Sequence, residues 1–316
     1  MFQLSSLPSL KGKTFLVTGG NTGIGYATCF NLVAHGARVY MGARSHEKAS
    51  AAIAKIKETY PEADLYILLF DHMSLSSIVT AAKTFKDKES QLHGLILNAG
   101  IMAVPYEVTK DGFEIQMQVN YLAHWLLTEH LLSVLISTAQ KCGPGAVRIV
   151  CVSSEGHNSF DTKHILYNPK EVEKFGDFGR YGLSKLANVL HAKTLNDRFG
   201  PSSQNAKAGK GEIRTASLHP GFIDSQLNQK NKENASWKLR WIHPALLLFG
   251  IMRPWDEGCV ASLFAGASPD FTAEMSGEYL SEKAVKKACN PSALDVEERK
   301  RLEEWTAEEM KKGGWM

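Results

Sequence analysis

The chain has 316 residues, a formal net charge of +3 and a pI near 8.5, with 44% hydrophobic and 22% charged residues. That apolar content supplies a sizeable core and excludes a disordered chain, and lysines and arginines scattered among acids argue against a nucleic-acid partner. Five dispersed cysteines with no CxxC pair argue against a disulfide framework or a cysteine zinc site and point to a reducing, cytoplasmic setting.

The start, MFQLSSLPSLKGK, is interrupted by Ser and Pro before an apolar signal core could form, and no stretch reaches the length of a membrane span. Neither secretion nor a transmembrane helix is expected, so the Asn-Ala-Ser sequon at Asn234 reads as unmodified surface. In chain order, apolar runs predict strands at 14–17, 38–41, 65–70, 94–97, 147–152, 213–218 and 277–280. Between them apolar residues recur at helical spacing, as in Ile24, Ala27 and Leu32, or Leu126, Leu127, Leu131 and Leu135. Such alternation predicts βαβ units: an α/β fold, one domain over 1–316, with a doubly wound, seven-stranded, mainly parallel sheet covered by helices on both faces. No internal repeat interrupts it. GPSSQNAKAGKG, residues 200–211, reads as a mobile surface loop, and residues 292–316 as a charged, capped C-terminal helix that packs Leu302 and Trp305 on the core.

After the first strand, TGGNTGIG (Thr18 to Gly25) opens directly into a helical pattern. Glycine suits a sharp strand-to-helix turn where backbone passes close to a phosphate held at the helix N-terminus. The spacing Gly19, Gly23, Gly25 differs from GxGxxG.

Three tyrosines have a lysine four residues on: Tyr106 with Lys110, Tyr181 with Lys185, and Tyr279 with Lys283. Tyr106 and Lys110 lie in PYEVTKDG, between a proline and an Asp-Gly turn, where nothing holds a helical spacing. Tyr279 and Lys283 straddle a strand end, where period-two geometry separates them. Tyr181 and Lys185 open a helical stretch continued by Leu186, Val189 and Leu190, which places both side chains on one face.

With LNAG at 97–100, VN at 119–120, VSS at 152–154, YGLSK at 181–185 and HPG at 219–221 following the glycine turn in order, residues 12–228 resemble the short-chain dehydrogenase/reductase family. Stretches such as NTGIG, DGFEIQMQVN and SKLANVL are most similar to its retinol-dehydrogenase-like branch. The resemblance implies a Rossmann-type fold and a catalytic set of Asn120, Ser154, Tyr181 and Lys185. Tyr181 would be the general acid/base, Lys185 its tuner and a ribose ligand, Ser154 a donor to the substrate oxygen, and Asn120 the holder of a water relay toward Lys185. A nearby ammonium, Lys185, and the positive charge of an oxidised nicotinamide are together expected to pull the Tyr181 phenol down toward neutral pH. The resemblance further implies a dinucleotide held by Gly19, Asn21, Thr22, Gly23, Ile24 and Gly25, by Asp71 at the adenine, and by Asn98, Ala99 and Gly100. Tyr181, Lys185, Pro220, Gly221 and Ser225 would complete that site.

Ala43 and Arg44 stand at the end of the second strand in place of a carboxylate, and a guanidinium there favours a 2′-phosphate, hence NADP(H) over NAD. Cys151 reads as a buried small apolar residue and His157 as a satisfied loop histidine, with no histidine cluster to hold a metal. The insertion between Ser154 and Tyr181 is expected at the rim of the site. Residues 222–258, with WKLRWIHPALLLFGIMRPW at 237–255, read as a lid over an apolar substrate, with peripheral membrane contact and core or dimer packing as alternatives. The function expected is NADP(H)-dependent interconversion of a carbonyl and an alcohol on a lipophilic small molecule. A non-redox dehydration or cyclisation on the same fold, a silent nucleotide-binding regulator, and a homodimer stay open.

Overall fold

Seven short apolar runs pair into one sheet. The computed structural model describes residues 2–159, 167–223 and 256–316. The strands are β1 (Thr14–Thr18), β2 (Arg38–Ala43), β3 (Leu65–Leu69), β4 (Gly94–Leu97), β5 (Val147–Val152), β6 (Ile213–Leu218) and β7 (Glu278–Leu280). Their order is β3-β2-β1-β4-β5-β6-β7, and every pairing is parallel. The winding direction reverses between β1 and β4, so the connections leaving those two strands diverge and open a crevice at the carboxyl edge.

The main helices are α1 (Gly23–Ala34), α2 (His46–Thr59), α3 (Leu75–Lys88), α4 (Ala123–Cys142), α5 (Asp177–Phe199), α6 (Val260–Ala267) and α7 (Val296–Lys312). Strand alternation feeds two cores. Leu16, Leu95 and Ile149 face α3, α4 and α5, whereas Val17, Ile96 and Val150 face α1, α2 and α6. The doubly wound expectation holds, and the sheet is parallel throughout.

Strands β1, β2, β3 and β7 end or start one or two residues from the sequence reading, and two further segments differ from it. Residues 200–211 contain a helical turn, Gln204–Lys207, because the buried Ser203 hydroxyl accepts from the Ala206 N–H. Asn205 then donates to the Arg198 carbonyl, which fixes the turn to the end of α5. The C-terminal helix starts at Val296, where Asp295 caps it, after a separate 3-10 turn at Pro291–Leu294. Its Leu302, Thr306 and Met310, four residues apart, are buried against α4 and α5, and Trp305 packs on Phe113 and Tyr167. Each fully buried aliphatic side chain contributes about 1.5–3 kcal/mol. Arg198 of α5 ties the three helices together through Glu129 of α4 and Glu303 of α7.

Candidate active site

The glycine turn closes tightly on itself. Gly19 and Gly23 have φ of +63° and +53°, a region side chains avoid. A Cβ at Gly25 would lie 2.2 Å from the Gly19 carbonyl oxygen and 2.6 Å from Asn98 Nδ2. Thr22, the N-cap of α1, makes no side-chain capping bond, which leaves the first-turn N–H groups directed at the crevice. Asn21, Thr22, Gly23 and Ile24 are all half-buried along this edge. A cradle with no room for side chains, closed by uncapped amides, fits a dinucleotide pyrophosphate.

Thr18, which sequence reasoning passed over, joins the turn to β4. Its hydroxyl accepts from the N–H groups of Asn98 and Ala99 at 2.9 Å each, and Asn98 Nδ2 donates to the Thr18 carbonyl. Gly100 keeps space open, since a Cβ there would lie 3.0 Å from Asn120 Oδ1 and 3.3 Å from Lys185 Nζ. Asp71 follows β3 and accepts from the Met73 N–H. Arg44 is exposed just beyond β2. Pro220 and Gly221 follow β6, with Gly221 at φ +97°. Ser225 and residues 237–255 lie outside the described residues, as does Asn234.

Tyr181 sits one turn inside α5, which begins at Asp177. Ser154 follows β5, and its hydroxyl lies beside Tyr181: a Cβ on Gly156 would stand 3.5 Å from the tyrosine ring and 3.7 Å from Ser154 Oγ. The Gly156 N–H donates to Ser154 Oγ at 3.2 Å, so the hydroxyl proton is free to point at Tyr181 or at an oxygen beside it. Lys185, 4% exposed, donates from Nζ to the Val152 carbonyl at 3.0 Å and lies 5.7 Å from the Tyr181 ring centroid. Asn120 lies within a π-turn, Gln118–Leu122, that precedes α4. Its amide clamps both the N–H and the carbonyl of Ile101 and also donates to Ser184 Oγ at 2.8 Å. Four side chains expected to act together therefore converge at the carboxyl ends of β4 and β5.

The expected downward pull on Tyr181 is absent in the chain alone. Loss of water around the phenol raises its pKa, opposed by the Ser154 hydroxyl, while burial lowers Lys185 to about 8. Both shifts disfavour the charged forms.

The other tyrosine–lysine pairs fall away. The Arg180 guanidinium lies 5.5 Å from the Tyr106 ring centroid, and Lys110 sits apart in a loop closed by a Val108–Glu114 bridge. Tyr279 is buried in β7 and donates to Glu155 at 3.0 Å. Cys151 is buried, its thiol pushed up to about 12. His157 is satisfied at both nitrogens, donating to the Ser154 carbonyl and accepting from the Asn290 N–H. Arg180, also missed from sequence, is buried beside Glu114 and Asp177 and donates to the Val104 carbonyl, which anchors the start of α5. Among the described residues no group of three or more His, Cys, Asp or Glu is placed to hold a metal ion, and no helix is long and apolar enough to cross a membrane.

Comparison with known proteins places this geometry. The short chain dehydrogenase family model matches residues 13–167. Over 310 residues the chain is 50% identical to the short-chain dehydrogenase/reductase drtF of Aspergillus calidoustus, covering 97% of this chain and 96% of that one. It is 35% identical over 274 residues to retinol dehydrogenase 11 of Mus musculus, covering 86% and 78%. Its fold matches an NADPH-bound carbonyl reductase from chicken fatty liver with a TM-score of 0.63 at 22% identity, over 90% of this chain and 97% of that one.

Proposed function

The chain belongs to the short-chain dehydrogenase/reductase family of nicotinamide-dependent oxidoreductases, and from that premise we propose that it interconverts a carbonyl and an alcohol on a lipophilic small molecule with NADP(H). The observation that carries the reading is the contact of Ser154 with Tyr181 one helical turn from Lys185, beside a glycine turn closed to side chains. When bound, the dinucleotide supplies or accepts the hydride. Tyr181 donates the proton that a carbonyl oxygen needs as charge builds on it, and its raised pKa keeps the phenol protonated at neutral pH. Ser154, with Gly156 already donating to its oxygen, turns its own proton toward the same substrate oxygen. Lys185 holds an ammonium where tyrosinate forms.

NADP(H) is favoured by the exposed Arg44 at the end of β2 with no carboxylate before it. The lipophilic substrate class is supported by Phe178 and Phe222, 70% and 63% exposed. Phe178 stands three residues before Tyr181 on the same helix, and Phe222 just past Gly221, so both flank the site. A cytoplasmic location fits a chain with five free cysteines.

The test is oxidation of NADPH with a panel of hydrophobic ketones and aldehydes. Tyr181→Phe is expected to lose about 10²–10⁴-fold in kcat, the usual contribution of a positioned acid. Equal turnover by the two proteins would remove Tyr181 from this role. Product formed with a redox-inactive dinucleotide would favour a dehydration or cyclisation instead.

A further inference from the structure

Three segments of the site meet at one side chain that the mechanism above does not use. His124, 1% exposed, lies in the first turn of α4. Its Nδ1 is 2.9 Å from the Asn120 carbonyl, and its Nε2 is 2.9 Å from Thr18 Oγ1 and 3.2 Å from His72 Nε2.

The partners fix where the proton of His124 sits. A carbonyl only accepts, so His124 Nδ1 carries the hydrogen and Nε2 is the acceptor. The Thr18 oxygen already receives the N–H groups of Asn98 and Ala99, so its own hydrogen is the one left for His124 Nε2. His72 Nε2 lies 3.2 Å from the same nitrogen, whose single in-plane lone pair is taken by the Thr18 hydroxyl. The two rings pack edge to face, their planes crossing at 82°. An acceptor at Nε2 requires a neutral His124, and burial lowers the pKa of both imidazoles.

We propose that His124 is a positioning residue with two separable arms, resting on the dinucleotide and catalytic reading above. The Nε2 arm orients the Thr18 hydroxyl. That hydroxyl aims the backbone of Asn98 and Ala99 and adjoins Gly19, so this arm sets the shape of the cofactor cradle. The Nδ1 arm holds the Asn120 carbonyl where the π-turn shifts the backbone bonding, with the Ala123 N–H reaching back to Gln118. Asn120 in turn clamps Ile101 and Ser184, the latter between Tyr181 and Lys185, so this arm sets the catalytic turn of α5. A phenylalanine would fill the same volume and make neither bond.

The experiment uses the full-length protein, with NADPH affinity read by fluorescence titration and kcat read at saturating NADPH. His124→Phe is expected to weaken NADPH about tenfold and to lower kcat about tenfold, each the scale of one buried hydrogen bond. Gln places its amide near the Nε2 position and Asn near the Nδ1 position. His124→Gln therefore recovers most of the NADPH affinity with kcat still low, and His124→Asn recovers kcat with affinity still low. Thr18→Val is expected to weaken NADPH by itself, and adding His124→Phe to it is expected to cost little further affinity, because both act through one bond. The inference is overturned if His124→Phe binds NADPH within twofold of wild type, or if the Gln and Asn variants fall equally on both measures, as plain loss of packing would produce. Should His124→Phe not fold, the Gln, Asn and Thr18 variants decide. Should wild type reduce no carbonyl, the proposed activity fails, and the affinity comparison among Phe, Gln and Thr18 variants still decides the role of His124.

Discussion

The sharpest consequence of the glycine turn concerns Gly25→Ala. One added carbon would stand 2.2 Å from the Gly19 oxygen and 2.8 Å from the Gly19 carbonyl carbon, about 1 Å inside an ordinary contact. Neither neighbour yields easily. Gly20 is bonded through its N–H to the Gly42 carbonyl at 3.0 Å, and Asn98 Nδ2 is held by the Thr18 carbonyl at 2.9 Å. Overpacking of this kind costs about 1–3 kcal/mol, and breaking one of those bonds adds about 1 kcal/mol. If the turn opens to relieve the clash, about 2–4 kcal/mol is lost from dinucleotide binding, roughly 30- to 1000-fold in Kd. Fluorescence titration with NADPH measures that loss, and thermal melting without ligand shows how much of the strain stays in the fold. Gly176→Ala is the control, since a Cβ at Gly176 has nothing within 4 Å and the backbone φ is −61°. A Gly25→Ala protein that binds NADPH within twofold of wild type and melts at the same temperature would refute the reasoning.

Three further outcomes follow from the same structure. Arg44→Asp is expected to weaken NADPH by at least about tenfold and to leave NADH unchanged or improved, because a carboxylate repels the 2′-phosphate and accepts from a 2′-hydroxyl; parallel titrations decide it. Lys185→Met is expected to abolish turnover and raise the melting temperature, since a pKa lowered from 10.5 to about 8 marks an ammonium that costs the fold about 3 kcal/mol at neutral pH. The buried His191 has its pKa lowered to about 3 and His124 well below its usual value, so the unfolded chain takes up their protons first as pH drops below about 6.5. Stability is therefore full above that pH and falls below it, by about 1 kcal/mol per buried histidine at pH 5.5, and His191→Leu is expected to flatten the decline in urea denaturation.

The strands were legible because each is a short apolar run between turn residues, and β4, β5 and β6 fall where the pattern places them. Burial on both faces made that pattern plain, since every residue of β1, β4 and β5 is buried. Tyr181 and Lys185 were legible because a helix converts spacing into geometry. What stayed hidden depends on side chains meeting across elements. Nothing in AHWLL marks His124 as the partner of Thr18, 106 residues away, and nothing near Arg180 names Val104 as its acceptor. Ser203 was hidden for another reason: the Gly, Ser and Lys around it read as loop, and only its buried hydroxyl creates the short helix. The loss of water around Tyr181 was hidden as well, because the sequence supplies the neighbouring charge and not the burial.

That loss of water has one cause and two effects. Around Tyr181 it penalises tyrosinate, and around Lys185 it penalises ammonium, so the pair is unfavourable while only one of the two is charged. The same dry surroundings strengthen the attraction between opposite charges. In the proposed reaction Tyr181 becomes tyrosinate at the moment its proton leaves for the substrate oxygen, and the Lys185 ammonium then gains a partner within reach of the ring. The cost of keeping that ammonium buried is borne in the resting protein and offset only after proton transfer. Interactions that appear along the reaction coordinate lower the barrier, whereas those present from the start do not. On this argument the instability of Lys185 and the competence of Tyr181 are a single property, and a substitution that removes the first removes the second.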